Sequence, residues 1–328
     1  MEGRIPPMGI VKTVEILLPG PLTTVQDQGR YGFGCYGVPP GGAIDSFSLR
    51  AANLIVGNKE GEACLEITIT GLKARILTDL TLAITGGDLQ PRLNGLPLSM
   101  WEAHAVKEGD ILSFKGPRSG CRAYLSLGGG ISLEPVLGSR STNISSGFGG
   151  LEGRALRKGD VLCSESPHLH LDRGGGFLDK DRIPRYGREW TLRILPGPQR
   201  EDFPVAAVEV FLSSPYAVTQ HCDRTGIRLS GPLLHRSEAL AESIISEGVV
   251  PGAIQVPGDG LPIIILVETI TGGYRKIANV ISADLPLLGQ MKPGDEVRFH
   301  QVAMDEALDA LRMLEETLRS IGRAGWAA

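Results

Sequence analysis

The chain has 328 residues, and its hydrophobic fraction of 42% and charged fraction of 21% are ordinary for a globular protein, which excludes a disordered chain. That length exceeds what one hydrophobic core usually serves, so two domains are expected. A formal net charge of −4 gives no long-range attraction for phosphate backbones or anionic lipids. We therefore expect neither nucleic acid nor a membrane as a partner.

The cysteines and the start of the chain indicate a cytoplasmic protein. The five cysteines are odd in number and lack the close spacing of zinc or redox motifs, so we expect reduced thiols. The six histidines form no ligand pattern, and no metal site is predicted. Residues 1–18 lack a basic start followed by an apolar run. The longest apolar run, residues 261–267, is far shorter than the ~20 residues of a membrane span.

Short apolar runs between turn residues predict a mainly β chain, which the 44 glycines and 22 prolines also favour. In chain order, strands are expected at residues 14–18, 65–70, 81–84, 111–114, 124–127, 192–195, 263–267 and 297–299. One helix interrupts the first half, with Asp45 as its expected N-cap and Gly57 as its end. A helical apolar stripe after residue 302 predicts a C-terminal amphipathic helix, which either packs on its own domain or contacts another protein chain.

Two strand-to-turn segments resemble each other, VEILLPGP at residues 14–21 and LRILPGP at residues 192–198. This repeat predicts two related halves, although shared turn chemistry alone is an alternative. Residues 167–189 are polar and rich in glycine and arginine, which is typical of a linker. We therefore expect a first domain over residues 12–170, a linker over 171–190, a second domain over 191–302 and a helix over 303–322.

Two polar segments in the first half are candidates for a site. The segment 23–30 is predicted to form a loop immediately after a strand. It offers hydroxyls, an amide, a carboxylate and a guanidinium from Thr23, Thr24, Gln26, Asp27 and Arg30. Its alternative is a self-satisfying turn in which Asp27 caps backbone N–H groups and pairs with Arg30. The segment 138–142 carries Ser139, Arg140 and Thr142. The Arg140 fork could hold a carboxylate or carboxyamide with two hydrogen bonds, whereas a plain surface loop is the alternative.

Two more polar segments lie in the second half. Asp223, Arg224 and Arg228 share one extended segment, with Asp223 available to orient an arginine, and a structural ion pair is the alternative. The segment 270–276 allows close backbone approach at Gly272 and Gly273. Its other polar groups come from Thr271, Tyr274 and Lys276. This combination is typical of an anion or carbonyl clamp.

A family resemblance rests on six blocks in this order: GPLTTVQDQGRYGFGCYGVPPGGAIDSFSLRAANLIVGN, LNGLPLSMWEAHAVKEGDIL, VLGSRST, DRTGIRL, GAIQVPGDGLPIII and TGGYRKIANVISADL. Together they resemble the KipA family, which is also labelled the 5-oxoprolinase C subunit, allophanate hydrolase subunit 2 or biotin-dependent carboxyltransferase subdomain. The resemblance covers residues 14–302. It implies two tandem cyclophilin-like β-barrel domains with a few short helices, and a KipI-like partner.

The resemblance also implies three alternative functions. The first is one component of an ATP-dependent amide-processing complex, 5-oxoprolinase, that opens 5-oxoproline to glutamate together with a KipI-like B subunit and a third component, the A subunit. The second is a biotin-dependent carboxyltransferase component acting on urea or an analogue. The third is a regulator that antagonises a KipI-type inhibitor of a histidine kinase. The sequence contains no Gly-Lys-Ser/Thr phosphate loop and no biotinyl-lysine context, so ATP or biotin would be held by another component.

The site residues expected from the resemblance are those of the polar segments. Catalytic roles, in which arginines stabilise developing negative charge and a carboxylate orients them, are expected for Asp27, Arg30, Arg140, Asp223, Arg224 and Arg228. Binding of a small amide is expected from Thr23, Thr24, Gln26, Ser139, Thr142, Gln255, Thr271, Gly272, Gly273, Tyr274 and Lys276. The sequence departs from the family at residues 267–270, where Val-Glu-Thr-Ile replaces Asp-Arg-Gln-Thr. This departure favours a member with altered specificity, a scaffold or a binding subunit such as the regulator.

Overall fold

A computed structural model describes residues 9–169, 176–237 and 240–321. The chain forms two compact units, and neither is continuous in sequence. The first comprises the segment that ends at Arg30, residues Asp45–Arg185 and the segment that begins at Glu315. The second comprises Tyr31–Ile44 and Tyr186–Leu314. Ile44 is part of the second unit's core, and the Gly41 N–H donates to the Val267 carbonyl, so these contacts hold the early segment there.

The described residues of the first unit form eleven strands, one helix and the end of a C-terminal helix. The strands are β1 Val11–Pro19, β2 Leu22–Gln26, β3 Cys64–Thr68, β4 Leu72–Ile76, β5 Leu80–Asp88, β6 Pro91–Leu93, β7 Leu96–Pro97, β8 Ala103–Val106, β9 Ile111–Phe114, β10 Ser119–Leu127 and β11 Val161–Ser164. They form a six-stranded sheet of order β11-β1-β4-β9-β6-β7 and a five-stranded sheet of order β2-β3-β10-β5-β8.

The core of the first unit follows from the alternation of side chains along its strands. Val14 and Ile16 on β1 and Leu65 and Ile67 on β3 are fully buried in one apolar cluster. The helix α1, Ser46–Val56, begins where the Asp45 carboxylate accepts from the Ser48 N–H at 2.9 Å. It ends at Gly57, whose left-handed φ of 83° closes the helix.

The second unit contains a closed barrel. Its strands are β12 Glu189–Pro196, β13 Tyr216–Cys222, β14 Gly226–Ser230, β15 Glu247–Gly248, β16 Ala253–Val256, β17 Ile263–Ile265, β18 Thr271–Gly272, β19 Arg275–Val280 and β20 Glu296–Gln301. Seven close in the order β12-β19-β16-β17-β14-β13-β20, while β15 and β18 form a separate two-stranded ribbon. Inward side chains such as Ile254, Val256 and Ile264 fill the barrel, as alternation along a strand requires.

Three helices belong to the remaining chain: α2 Val205–Ser213, α3 Leu285–Leu288 and α4 Met304–Ser320. On α4, Ala307 and Ala310 pack with Ile281, Ala283 and Val302 of the second unit. Asp305 and Glu306 lie in its first turn, where carboxylates complement the helix dipole. Among the residues described here, none of the helices has both the length and the apolar character that crossing a membrane requires.

The predicted mainly β fold is confirmed. Of the two predicted barrels, the second unit contains a closed one, whereas the described strands of the first unit form two sheets. All eight predicted strands and both predicted helices are present, although several ends differ by a few residues. The prediction of a loop over residues 23–30 was wrong for its first half, because Leu22–Gln26 pairs with β3 as a strand. The shorter strands such as β16 and the helix α2 were not predicted, since brief elements carry too little periodicity.

Candidate functional site

The predicted site residues fall into two groups, one in each unit. Thr23, Thr24 and Gln26 lie on β2, and their side chains bond within the first unit. The Thr23 hydroxyl donates to the Pro19 carbonyl at 2.6 Å. The Gln26 amide donates to the Thr24 hydroxyl at 2.9 Å and to the Thr142 carbonyl at 3.1 Å. The Gln26 side chain therefore joins β2 to the segment 138–142, whereas Thr23 bonds back to the end of β1.

Asp27 is the centre of that junction. One carboxylate oxygen accepts from the Ser139 hydroxyl at 2.6 Å, from the Ser141 hydroxyl and from the Gly29 N–H at 2.8 Å. The other accepts from the Arg140 N–H. A buried carboxylate that accepts four hydrogen bonds has its acceptor capacity filled, which is typical of a structural role. Only the Gly29 donor belongs to the local turn that the sequence offered as an alternative, and the other three donors come from the segment 138–142.

Arg30 serves the same junction from the other side. Its guanidinium is buried, donates to the Ser141 carbonyl and lies 4.7 Å above the centre of the Phe148 ring. The Thr142 hydroxyl donates to the Val25 carbonyl at 3.0 Å. These contacts join Arg30, like Asp27, to the segment 138–142.

Arg140 is the residue of this group that reaches a pocket. Its Nε donates to the Leu133 carbonyl at 2.8 Å, and its Nη1 lies 3.8 Å from the Glu62 carboxylate. The pocket has a volume of about 180 Å³, and Ser132, Glu165 and Ser166 supply further polar groups. Two carboxylates and one guanidinium give the lining a net negative charge, which suits a neutral ligand that donates hydrogen bonds better than an anion.

In the second unit, Arg224 forms a buried ion pair. It is 4% exposed, its Nε lies 2.6 Å from a carboxylate oxygen of Glu268, and its Nη2 donates to the Gly42 carbonyl. Glu268 belongs to the segment that departs from the family pattern. The geometry of Arg224 is therefore that of the structural ion pair, the alternative that the sequence left open.

Asp223 and Arg228 line a second pocket, of about 490 Å³. Asp223 accepts from the N–H groups of Thr225 at 2.6 Å and Gly226 at 3.1 Å, which closes the turn before β14. The Arg228 side chain is 41% exposed and pairs with Asp259 at 3.1 Å. Sequence reasoning missed the other walls, which Gln220, His221, Ile263, Ile265 and Thr269 provide.

Strand register places several of these residues on the outer face of the barrel. Arg228 pairs with Ile263, Ile263 with Gln255, and Gln255 with Lys276, across β14, β17, β16 and β19. Gln255 lies between the inward residues Ile254 and Val256, so its side chain points outward. Four adjacent strands about 4.8 Å apart put Arg228 and Lys276 on one face, roughly 14 Å apart along it.

Lys276 is the charged centre of one end of that face. Its side chain is almost wholly buried, and its ammonium donates to a carboxylate oxygen of Glu247 on β15. The Gln199 side-chain amide nitrogen donates to the same oxygen at 2.7 Å, and its side-chain oxygen Oε1 accepts from the backbone N–H of Lys276 at 3.1 Å. The hydrogen bonds from Lys276 and Gln199 lower the pKa of Glu247 below its usual value.

Sequence reasoning did not identify Gln199 or Glu247. Gln199 directly follows the repeated Pro-Gly-Pro turn at residues 196–198, and that repeat was a signal that could have pointed to it. Glu247 is an exposed residue on a two-residue strand and carried no motif.

The remaining predicted residues lie on the ribbon that covers this end. Gly272 pairs with Glu247 across β15 and β18, and Thr271 pairs with Gly248. A Cβ on Gly272 would lie 2.2 Å from the Gln255 amide nitrogen, so glycine allows the ribbon to approach Gln255 closely. The Gly273 carbonyl accepts from the Ile244 N–H, and Tyr274 is partly exposed. We define the donor cluster as Gln199, Gln255 and Lys276.

The donor cluster and Arg228 have one chemistry in common. An ammonium, two side-chain amides and a guanidinium all donate hydrogen bonds, and they face the side of the sheet away from the core. Such groups bind carboxylates and polarise carbonyl oxygens. Within the described parts of the chain, no group of three or more His, Cys, Asp or Glu side chains is arranged to hold a metal ion.

Comparisons with known proteins agree with this architecture. The chain is 37% identical to the 5-oxoprolinase C subunit of Escherichia coli strain K12 over 303 residues, which cover 90% of this chain and 94% of the relative. It is 31% identical to the 5-oxoprolinase C subunit of Haemophilus influenzae, over 94% of this chain and 98% of the relative. The Saccharomyces cerevisiae urea amidolyase is 33% identical over 94% of this chain, which spans only 18% of that protein.

A solved structure shows the same fold. The K. lactis urea amidolyase matches 94% of this chain with a TM-score of 0.89 and 33% identity, and this chain spans 20% of that one. The family model for the carboxyltransferase domain, subdomain A and B, matches residues 36–301. The chain therefore belongs to the family that carries the carboxyltransferase domain, subdomain A and B.

Proposed function

We propose that this chain is one component of a multi-subunit 5-oxoprolinase complex that uses ATP to open 5-oxoproline to glutamate. The observation that carries the proposal is the match to the C subunits of two 5-oxoprolinases over almost the whole length of both chains. A KipI-like B subunit and a third component, the A subunit, are the proposed partners, and one of them holds the ATP. The cytoplasm is the proposed compartment.

The outer face of the second barrel supports this proposal chemically. 5-Oxoproline is a small lactam that carries one carboxylate and one amide carbonyl. Lys276 is a cation on that face with the amides of Gln199 and Gln255 beside it, whereas Arg228 is a second cation in the separate larger pocket, roughly 14 Å away along the face. A carboxylate and a carbonyl oxygen are the two acceptors that such a donor set recognises.

The test is reconstitution with the two proposed partners. We expect ATP-dependent formation of glutamate from 5-oxoproline in the complete complex, and none when this chain is omitted. Arg228→Ala should lower the activity strongly because Arg228 is exposed in the larger pocket. Arg298→Ala is the matched control, since Arg298 forms a similarly exposed ion pair with Glu296 on another barrel strand. Glutamate formation that is unchanged without this chain would refute the proposal.

A second candidate function is a component of a biotin-dependent carboxyltransferase for urea or an analogue, with biotin on a partner or carrier. The match to urea amidolyase and the net negative pocket around Arg140 favour it, because urea is neutral and rich in donors. Binding of a biotinylated carrier protein to this chain would support it, and its absence with and without partners would exclude it.

A further inference from the structure

The donor cluster converges on a carboxylate that the chain itself supplies. The ammonium of Lys276 and the amide of Gln199 both donate to the same oxygen of Glu247. Lys276 is 5% exposed, whereas nearly half of the Glu247 side chain is in contact with solvent. The buried cation belongs to the barrel wall, and its counter-ion comes from outside the wall.

One donor of the cluster is left over. Gln255 is 3% exposed, and its amide nitrogen has no hydrogen-bond partner in the part of the chain that the structure describes. This nitrogen lies directly beneath Gly272, the residue that pairs with Glu247 across the ribbon. A buried amide without a partner is costly, so its position beside Lys276 requires an explanation.

The ribbon that carries Glu247 is short and separate from the barrel's ladder. It pairs Glu247 with Gly272 and Gly248 with Thr271, and one backbone hydrogen bond on either side, from Ile244 to Gly273 and from Val249 to Ile270, extends it. An isolated two-stranded ribbon has little stability of its own. Glu247 can therefore leave the donor cluster without opening the barrel.

We propose that Gln199, Gln255 and Lys276 form a binding site for the carboxylate of a small ligand, and that Glu247 occupies this site until the ligand displaces it. The ligand carboxylate receives hydrogen bonds from Lys276 and Gln199 in place of Glu247, and Gln255 provides the third donor. A neutral ligand does not compete, because it would leave the ammonium of Lys276 buried without a counter-charge.

An internal carboxylate reduces the apparent affinity for a ligand to the intrinsic affinity multiplied by the fraction of time that the site is free. Glu247→Ala removes this competitor and leaves all three donors in place. We expect the variant to bind a small carboxylate at least tenfold more tightly than the wild-type chain. Adding Lys276→Met to Glu247→Ala should abolish that gain. Glu209→Ala, which removes an exposed carboxylate from α2, is the matched control and should change nothing.

The experiment is isothermal titration of the full-length chain with three probes, namely 5-oxoproline, propionate and 2-pyrrolidinone. The choice of 5-oxoproline rests on the proposed function, whereas propionate tests the carboxylate site without it. Tighter binding of both carboxylates to Glu247→Ala, with no gain for 2-pyrrolidinone, is the expected result. Equal binding by the wild-type chain and Glu247→Ala, or an equal gain for 2-pyrrolidinone, would overturn the proposal. If Glu247→Ala binds propionate more tightly than the wild-type chain but the complex does not turn over 5-oxoproline, the proposed function is refuted and the carboxylate site is not.

Discussion

The Arg224–Glu268 pair offers a direct test of which arginines are structural. Both side chains are almost completely buried, and Nε of Arg224 lies 2.6 Å from the Glu268 carboxylate. Glu268→Ala leaves a buried guanidinium without its counter-charge. Breaking a buried ion pair in this way costs about 3–5 kcal/mol. At about 2–4 °C for each kcal/mol, the melting temperature should fall by about 6–20 °C.

The comparison variant is Arg228→Ala. The Arg228–Asp259 pair is exposed on both sides, and exposed pairs contribute about 0–1 kcal/mol, so its melting temperature should fall by at most about 4 °C. Thermal denaturation followed by circular dichroism measures both variants, and glutamate formation by the reconstituted complex gives the second readout. If Glu268→Ala and Arg224→Ala melt like Arg228→Ala but abolish turnover, Arg224 is functional and the structural role is refuted.

Three further predictions concern the first unit. Asp27→Asn should lower the free energy of unfolding in urea by more than about 3 kcal/mol, because four donors lose a charged acceptor; a stable but inactive variant would contradict this. The hydrogen bond from Arg50 lowers the pKa of Glu315 in the folded chain. Glu315 therefore stabilises the fold at pH values above its unfolded pKa of about 4.3. This stabilisation is lost as the pH falls through the lower pKa of the folded state. Wild type should therefore be more stable than Glu315→Gln at pH 7, and equal stabilities at pH 7 would count against the pair. Burial raises the pKa of the Cys64 thiol to about 12, whereas Cys35 is exposed. The reaction of the chain with a thiol reagent at pH 8 should therefore have a fast phase that comes from Cys35. This phase should disappear in Cys35→Ser and persist in Cys64→Ser.

Much of the fold could be read from local pattern. Strand alternation at Val14 and Ile16, and the boundaries of α1 at Asp45 and Gly57, depend on neighbours only a few residues apart. The short strands β15 and β18 could not be found this way, because two residues carry no periodicity. Their pairing depends on the register of distant segments.

The candidate site was only partly predictable for the same reason. Sequence placed Asp27, Arg30, Arg224 and Arg228 in polar segments but could not rank them. A charged residue that becomes buried and one that stays exposed can have the same neighbouring sequence. Whether the side chain is buried depends on which distant segments pack against it. Only tertiary structure separated Arg224, paired with Glu268, from Arg228 in its pocket.

By itself, the sequence determined the family, the mainly β class and the segments that carry polar side chains, because those properties depend on composition and short-range order. Tertiary structure alone decided that Gln199, Glu247 and Lys276 meet. They are separated by 29 to 77 residues along the chain, and no local pattern couples them. The β16–β19 register and the ribbon over Gly272 bring them together, so the donor cluster is a product of long-range strand pairing.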